Sequence, residues 1–186
     1  MSTNKAIFID RDGTLVKEVW YLSDEKQLEL KPTVPEALKM LREYGFLIVI
    51  VTNQSVIGRG IIDHEKLRVI HERLQTLLQQ KGARYDHLYY CPHLPEEGCS
   101  CRKPAPGLIL KAAEDLHIDL KSSFVVGDRL MDVKAAKSLG VRCAVVISTW
   151  SSLDGDVRSW GADFIGENLL EVAEWIIRQE QRDTRS

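Results

Sequence analysis

Short, wholly apolar runs alternate with amphipathic stretches along this chain, and that alternation constrains its fold more than any other feature. Residues 6–9 (AIFI) and 46–51 (FLIVIV) offer no polar side chain to water, as expected of parallel strands buried on both faces. Residues 87–90 (HLYY), 123–126 (SFVV) and 143–147 (CAVVI) read as further strands, and 162–165 (ADFI) as an edge strand. Thr33-Val-Pro-Glu36 reads as a capping box opening a helix whose Val34, Ala37, Leu38 and Leu41 share a face until Gly45. Asp63 caps a second helix with Leu67, Ile70, Leu74, Leu77 and Leu78 on one side, ending at Gly82. Helices are also expected over residues 106–117, 131–139 and 169–177, with 178–186 fraying. Such alternation predicts a doubly wound, mostly parallel α/β sheet with helices on both faces. At 186 residues the chain suits a single domain, 1–186, large enough to need no disulfide staples.

Charge narrows the partners. A net charge of −2 and a pI near 6.2 give no basic surface for nucleic acid. No apolar run approaches the roughly 20 residues of a membrane span, and the opening MSTNK lacks a signal-peptide apolar region. The expectation is a cytoplasmic monomer acting on a small molecule, with neither nucleic acid nor membrane as partner. Its helices show no spare apolar stripe.

In an open α/β sheet, ligands collect at the carboxyl ends of the strands. Those ends carry Asp10 and Asp12; then Thr52, Asn53, Gln54 and Ser55; then Arg102 and Lys103; then Asp128, Arg129 and Asp132. Carboxylate oxygens suit Mg²⁺, while a hydroxyl and an ammonium suit phosphoryl oxygens. Asp10 and Asp12 repel each other unless a cation or a reaction uses them both. Gly13 lets the chain turn sharply just past them.

These four groups, DRDGT, a strand-end Thr, Lys-Pro and GDxxxD, resemble in order and spacing the motifs of the haloacid dehalogenase (HAD) phosphohydrolase superfamily. The resemblance runs from Ala6 to about Gly140 and implies a Rossmann-like sheet with Mg²⁺-dependent phosphatase activity. It implies Asp10 as nucleophile, forming an aspartyl-phosphate, and Asp12 as general acid and then base. It further implies Thr52 and Lys103 as phosphoryl clamps, and Asp128 as metal ligand beside the Asp10 carboxylate and the Asp12 main-chain carbonyl. Asp132 would orient Lys103 or reach the metal through water. The intervals from Asp10 to Thr52 and from Thr52 to Lys103 leave no room for a separate cap domain.

CPHLPEEGCSCRKP places Cys91, His93, Cys99 and Cys101 as two close pairs across a Pro/Gly loop, a pattern that fits a closed tetrahedral Zn²⁺ site. With all four positions filled by protein, the zinc would be structural, shaping residues 91–103 to aim Arg102 and Lys103. A redox pair or plain reduced thiols are the alternatives. Cys143 reads as a small buried hydrophobe, and His87 as no ligand.

Within the superfamily, this loop narrows the resemblance to the heptose-1,7-bisphosphate 7-phosphatases, with the histidinol-phosphate phosphatases as the alternative. TNQSVIGRG and CRKPAPG resemble the former, although Val56 and Trp20 stand where that family usually has glycine. Glu18, Val19, Trp20 and Tyr21 occupy the substrate-loop positions, with Asn53, Gln54 and Ser55 beside them. Arg102 and Arg129, and less directly Arg59, are candidates for a distal phosphate. A polynucleotide 3′-phosphatase, a phosphate-receiver domain and a non-catalytic zinc-loop module remain as readings from other classes.

Overall fold

The computed structural model describes residues 3–185. In chain order the elements are β1 (Lys5–Ile9), α1 (Val34–Glu43), β2 (Phe46–Asn53), α2 (His64–Gln79), β3 (His87–Cys91), α3 (Gly107–Asp115), β4 (Phe124–Gly127), α4 (Leu130–Ser138), β5 (Arg142–Val146), β6 (Phe164–Gly166) and α5 (Leu169–Asp183). The six strands form one sheet in the order β3-β2-β1-β4-β5-β6, and every pairing is parallel.

The period of two along each strand divides the core into two layers. Ile7 and Ile9 of β1, with Ile48 and Ile50 of β2, face α1, α2 and α5; Ala6, Phe8, Val49 and Val51 face α3 and α4. Both faces are covered, which explains why the central strands lack polar residues. Strand order reverses between β1 and β4, so the connections leaving these two strands diverge and leave a crevice past their carboxyl ends. Residues between β1 and α1 form only a three-residue 3-10 turn, Glu25–Gln27, and two isolated bridges. Among the described residues no cap domain is inserted at either expected position.

Two local expectations are corrected. The capping box at Thr33 does not form: Thr33 has φ +69°, and its side chain makes no cap bond. Its hydroxyl instead meets Asn168 Oδ1 at 3.4 Å, so the left-handed turn docks the start of α1 beside the start of α5. Helix α5 does not fray after residue 177 but continues to Asp183. Its last turns are tied to the sheet, Glu180 to Lys5 and Asp183 to Arg142, with Gln181 bonded to Tyr44. Ser186 lies outside the described residues. Asp63 does cap α2, accepting from the Lys66 N–H at 2.8 Å.

Candidate active site

Parallel pairing carries Asp10 out of β1 directly beside the end of β4, where its N–H donates to Val126 O at 3.0 Å. The chain then turns at Gly13 with φ +81°, and a Cβ there would sit 2.1 Å from Asp128 Oδ2. Only glycine fits both the backbone angle and the approach of the two loops. Gly127 is equally constrained, since a Cβ would meet the Asp132 carboxyl carbon at 2.2 Å.

Asp10, Asp128 and Asp132 thereby bring carboxylate oxygens within 4.8 Å of one another. Lys103 is the cation among them, 2% exposed, with Nζ 2.6 Å from Asp132 Oδ1 and 3.1 Å from Asp10 Oδ1. Its third proton goes to Val51 O at 2.8 Å, so the ammonium's three donors are all engaged. One ammonium does not neutralise three carboxylates. Burial, then Asp132 and Asp12, push Asp10 up to about 6 against the pull of Lys103. Burial, then Asp10 and Asp132, push Asp128 up to about 8. Burial lowers the Lys103 ammonium, but Asp10 and Asp132 outweigh it and hold the group above its ordinary value.

Asp128 is fully buried; Ser148 Oγ donates to its Oδ2 at 2.5 Å, and Ser151 Oγ to its main-chain oxygen at 2.7 Å. Its Oδ1 is buried without a partner. Asp132 has spent both oxygens, one on Lys103 and the other on the Arg129 N–H. A buried, unpartnered carboxylate oxygen beside a second, half-satisfied carboxylate fits a hard divalent cation. Asp10 and Asp128 are the members of the cluster with an oxygen free for it, while both oxygens of Asp132 are hydrogen-bonded.

The carboxylate of Asp12 does not join that cluster. Both oxygens accept from Arg11, at 2.9 and 2.8 Å, and Gln54 Nε2 adds a third bond at 2.9 Å. Gln54, expected at the substrate, is thus mostly a buried partner of Asp12, and it also donates to Thr52 Oγ1 at 2.9 Å. Thr52 keeps its own hydroxyl proton to donate. Asn53 likewise serves the scaffold: it accepts from Lys103 N–H at 3.0 Å and donates to Lys103 O at 3.1 Å, pinning the Lys103 loop to β2.

The cleft itself is lined by Asp10, Asp12, Ser55, Arg102, Lys103 and Asp128, with Val19, Trp20, Tyr21 and Trp150 at its mouth. Glu18 braces the loop instead of lining the cleft, accepting from Thr149 N–H at 2.7 Å and Oγ1 at 3.1 Å. Arg129 reaches the cleft, yet its guanidinium is paired bidentately with Asp154 at 2.6 and 2.9 Å. Arg59 is exposed, its guanidinium 4.9 Å from the centre of the Tyr21 ring. Among the described residues the Arg102 side chain makes one hydrogen bond, to His93 O at 3.3 Å, and it lines the cleft.

Sequence reading missed Arg11, His71, Ser148, Ser151 and Trp150. His71 alone left a signal, since it falls on the apolar face of α2 between Ile70 and Leu74.

Cys91, His93, Cys99 and Cys101 do converge. The three Sγ atoms lie 3.0–3.5 Å apart, and His93 Nδ1 lies 3.4 and 3.3 Å from Cys91 and Cys101. A tetrahedral zinc with Zn–S bonds of about 2.3 Å asks for edges somewhat longer, near ~3.8 Å. The donor set and its shape therefore fit a soft cation, and all four cysteines of the chain are free. Cys143 is buried, as expected, and His87 is exposed.

A parallel sheet holding an aspartate pair, a buried lysine and a second acidic turn at its switch point defines a phosphohydrolase of the HAD superfamily. A family described as HAD-hydrolase-like matches residues 100–172. The chain is 35% identical over 178 residues to the D-glycero-beta-D-manno-heptose-1,7-bisphosphate 7-phosphatase of Pasteurella multocida strain Pm70, covering 92% of this chain and 96% of that one. It is 34% identical over 183 residues to the enzyme of the same name from Escherichia coli strain K12, covering 95% of each. The crystal structure of D,D-heptose 1,7-bisphosphate phosphatase from B. bronchiseptica, complexed with magnesium and phosphate, superposes with a TM-score of 0.85 at 30% identity, covering 94% of this chain and 99% of that one. The chain belongs to the family of the D-glycero-beta-D-manno-heptose-1,7-bisphosphate 7-phosphatases.

Proposed function

We propose that this protein hydrolyses the 7-phosphate of D-glycero-D-manno-heptose 1,7-bisphosphate in a Mg²⁺-dependent reaction, with residues 1–186 as one catalytic domain. The observation that carries the reading is the ion-paired triad of Asp10, Lys103 and Asp132 beside the unpartnered Oδ1 of Asp128.

Asp10 is the nucleophile. A carboxylate attacks an anionic phosphate monoester only if the repulsion is cancelled, and Lys103 sits 3.1 Å from Asp10 to do so. When bound at Asp10, Asp128 and the Asp12 main-chain carbonyl, Mg²⁺ would supply the remaining positive charge. The Asp10 oxygen bonds to phosphorus, and the phosphorus–oxygen bond to C7 breaks. Asp12 gives its proton to the departing alcohol oxygen. Asp12 then takes a proton from water as the water oxygen attacks phosphorus, the Asp10–phosphorus bond breaks, and phosphate leaves. Two displacements through an aspartyl-phosphate replace one direct attack by water. Thr52 donates a hydrogen bond from its hydroxyl to a phosphoryl oxygen. Lys103, with its donors already engaged, acts there mainly through its charge.

Arg102 is assigned to the distal 1-phosphate, because among the described residues its guanidinium makes a single hydrogen bond and it lines the cleft. Arg129 serves mainly to fix the Asp128 turn through Asp154. Val19, Trp20, Tyr21 and Ser55 form the cleft around the sugar. The Cys91, His93, Cys99 and Cys101 cluster holds Zn²⁺ as a structural ion, two residues before Lys103.

Phosphate release with Mg²⁺ from the heptose bisphosphate and from histidinol phosphate tests the reading. A preference for the bisphosphate of about a hundredfold in kcat/KM, roughly 2.7 kcal/mol of transition-state discrimination, supports it. The opposite preference moves the substrate to histidinol phosphate and leaves the Asp10 chemistry in place.

A further inference from the structure

Arg11 is completely buried, and a buried guanidinium must find acceptors for its five N–H donors. Nε donates to Asp12 Oδ1 at 2.9 Å, and Nη2 donates to Asp12 Oδ2 at 2.8 Å and to Gln54 Oε1 at 3.0 Å. Nη1 lies 3.1 Å from Nε2 of His71, which reaches in from the apolar face of α2. A guanidinium only donates, so Nε2 is the acceptor and the ring proton sits on Nδ1. Burial and then the Arg11 charge hold His71 neutral, down to about 3, which suits that role.

The fork has a consequence for Asp12. A carboxylate has about four acceptor sites. Arg11 fills one on each oxygen, and Gln54 Nε2 fills the second on Oδ2 at 2.9 Å. The remaining site belongs to Oδ1, and the Asp12 side chain keeps 16% exposure while lining the cleft.

We propose that Arg11, locked from behind by His71 and from the side by Gln54, is the positioning residue that leaves Oδ1 of Asp12 as the oxygen that transfers the proton. This inference rests on the acid–base reading of Asp12 given above. In the first step the Oδ1 proton passes to the alcohol oxygen as its bond to phosphorus breaks. In the second, Oδ1 takes a proton from the attacking water. Removing the His71 acceptor leaves Nη1 buried and unpartnered, so the guanidinium shifts and the Asp12 fork loosens.

The test compares leaving groups, because a nitrophenolate departs without a proton and an alkoxide does not. The protein with Mg²⁺ is assayed on the heptose bisphosphate and on p-nitrophenyl phosphate. Only kcat/KM is compared, since it reports steps up to departure of the leaving group. His71→Phe should lower kcat/KM for the sugar phosphate about thirtyfold and for the aryl phosphate less than about threefold. His71→Gln, which restores an acceptor, should recover most of the loss. Arg11→Lys keeps the charge without the fork and should behave like His71→Phe. Asp12→Asn is the reference and should show the same bias at about a hundredfold or more.

Equal losses on both substrates in His71→Phe, or no loss on either, overturn the proposal while a biased Asp12→Asn keeps Asp12 as the acid. An unbiased Asp12→Asn removes the acid–base reading, and this inference falls with it. Should His71→Phe fail to fold, Gln54→Met disturbs the same fork from the other side and is read in the same way.

Discussion

The two metal-competent clusters among the described residues are built on opposite principles. The oxygen cluster joins Asp10 to Asp128 and Asp132, which lie far along the chain, and the parallel pairing of β1 with β4 brings them together. The sulfur cluster draws its four donors from residues 91–101, within one loop. The first is crowded with like charge and leaves an oxygen unpartnered; the second offers a closed set of four donors. An open, electrostatically costly site suits catalysis, and a closed, local one suits structure. They come together in the chain at Lys103, two residues beyond Cys101, where Asn53 of β2 also clamps the backbone.

The sharpest way to break this contrast is to remove charge from the oxygen cluster. Asp10→Asn should cut turnover by at least about a thousandfold, as loss of a nucleophile does. Its metal-free melting temperature should hold or rise, because one of three crowded carboxylates is gone. Phosphate release and a melt in EDTA check both. A steep fall in stability would make Asp10 a structural residue instead of a strained functional one.

Lys103→Met removes the opposite sign and should act in reverse. Stranding Asp10 and Asp132 without their cation should cost about 3 to 5 kcal/mol. Adding Asp132→Asn should return part of that loss. Denaturant midpoints of the two single variants and the double variant give the coupling. Simple additivity would mean that the 2.6 Å ion pair contributes nothing.

Cys99→Ser probes the other cluster, where no such relief is available. Bound zinc should fall from about one per chain to near zero, since one of four ligands is lost. The melting temperature should drop about 5 to 10 °C, corresponding to a few kcal/mol in a chain of this size. Elemental analysis and a thermal melt suffice. Unchanged stability with zinc lost would leave the ion without a structural role.

The same division between local and distant explains what the sequence made legible. Strand ends, helix faces and the cysteine loop are written in short-range pattern, so the parallel sheet, the acidic turns and all four sulfur-cluster positions were readable. Pairings across the fold carry no such pattern. Nothing near Arg129 announces Asp154, and nothing near Asn53 announces that its amide will clamp Lys103 rather than face a substrate. The Thr33 capping box failed for a related reason: its hydroxyl is turned to Asn168, a partner far away in sequence. The extra turns of α5 depend on Lys5 and Arg142, which lie far away in sequence.

His71 marks how far the oxygen cluster's support extends, and its protonation gives a smaller, pH-dependent effect. Burial and Arg11 lower its native value to about 3 from an ordinary 6.5. Above 6.5 both folded and unfolded chains are neutral at this residue, so its contribution is constant. As pH falls from about 6.5 towards 3, the unfolded chain takes up the proton and the folded one does not. Stability is lost there at up to about 1.4 kcal/mol per pH unit. His71→Gln should flatten that part of the acid limb in melting curves recorded from pH 7 to 4. A limb of unchanged slope would mean that His71 already protonates in the folded protein.

The smallest effect is expected at the mouth of the cleft, where the oxygen cluster meets solvent. Trp20 is 61% exposed, and its ring centre lies 4.7 Å from that of Trp150, which lines the cleft beside it. Glu18, bonded to the Thr149 backbone, holds the two loops together and keeps the rings paired. An exposed indole backed by a half-buried one is well suited to cover the apolar face of a bound sugar. Trp20→Ala should therefore raise KM for the heptose bisphosphate about three- to tenfold, matching an aromatic contact of about 0.5 to 1.5 kcal/mol, with kcat unchanged. On p-nitrophenyl phosphate, which has no sugar to cover, the same variant should be nearly silent. A fall in kcat on both substrates would instead tie the mouth to the chemistry, and the boundary between cleft and cluster would have to be redrawn around Trp20.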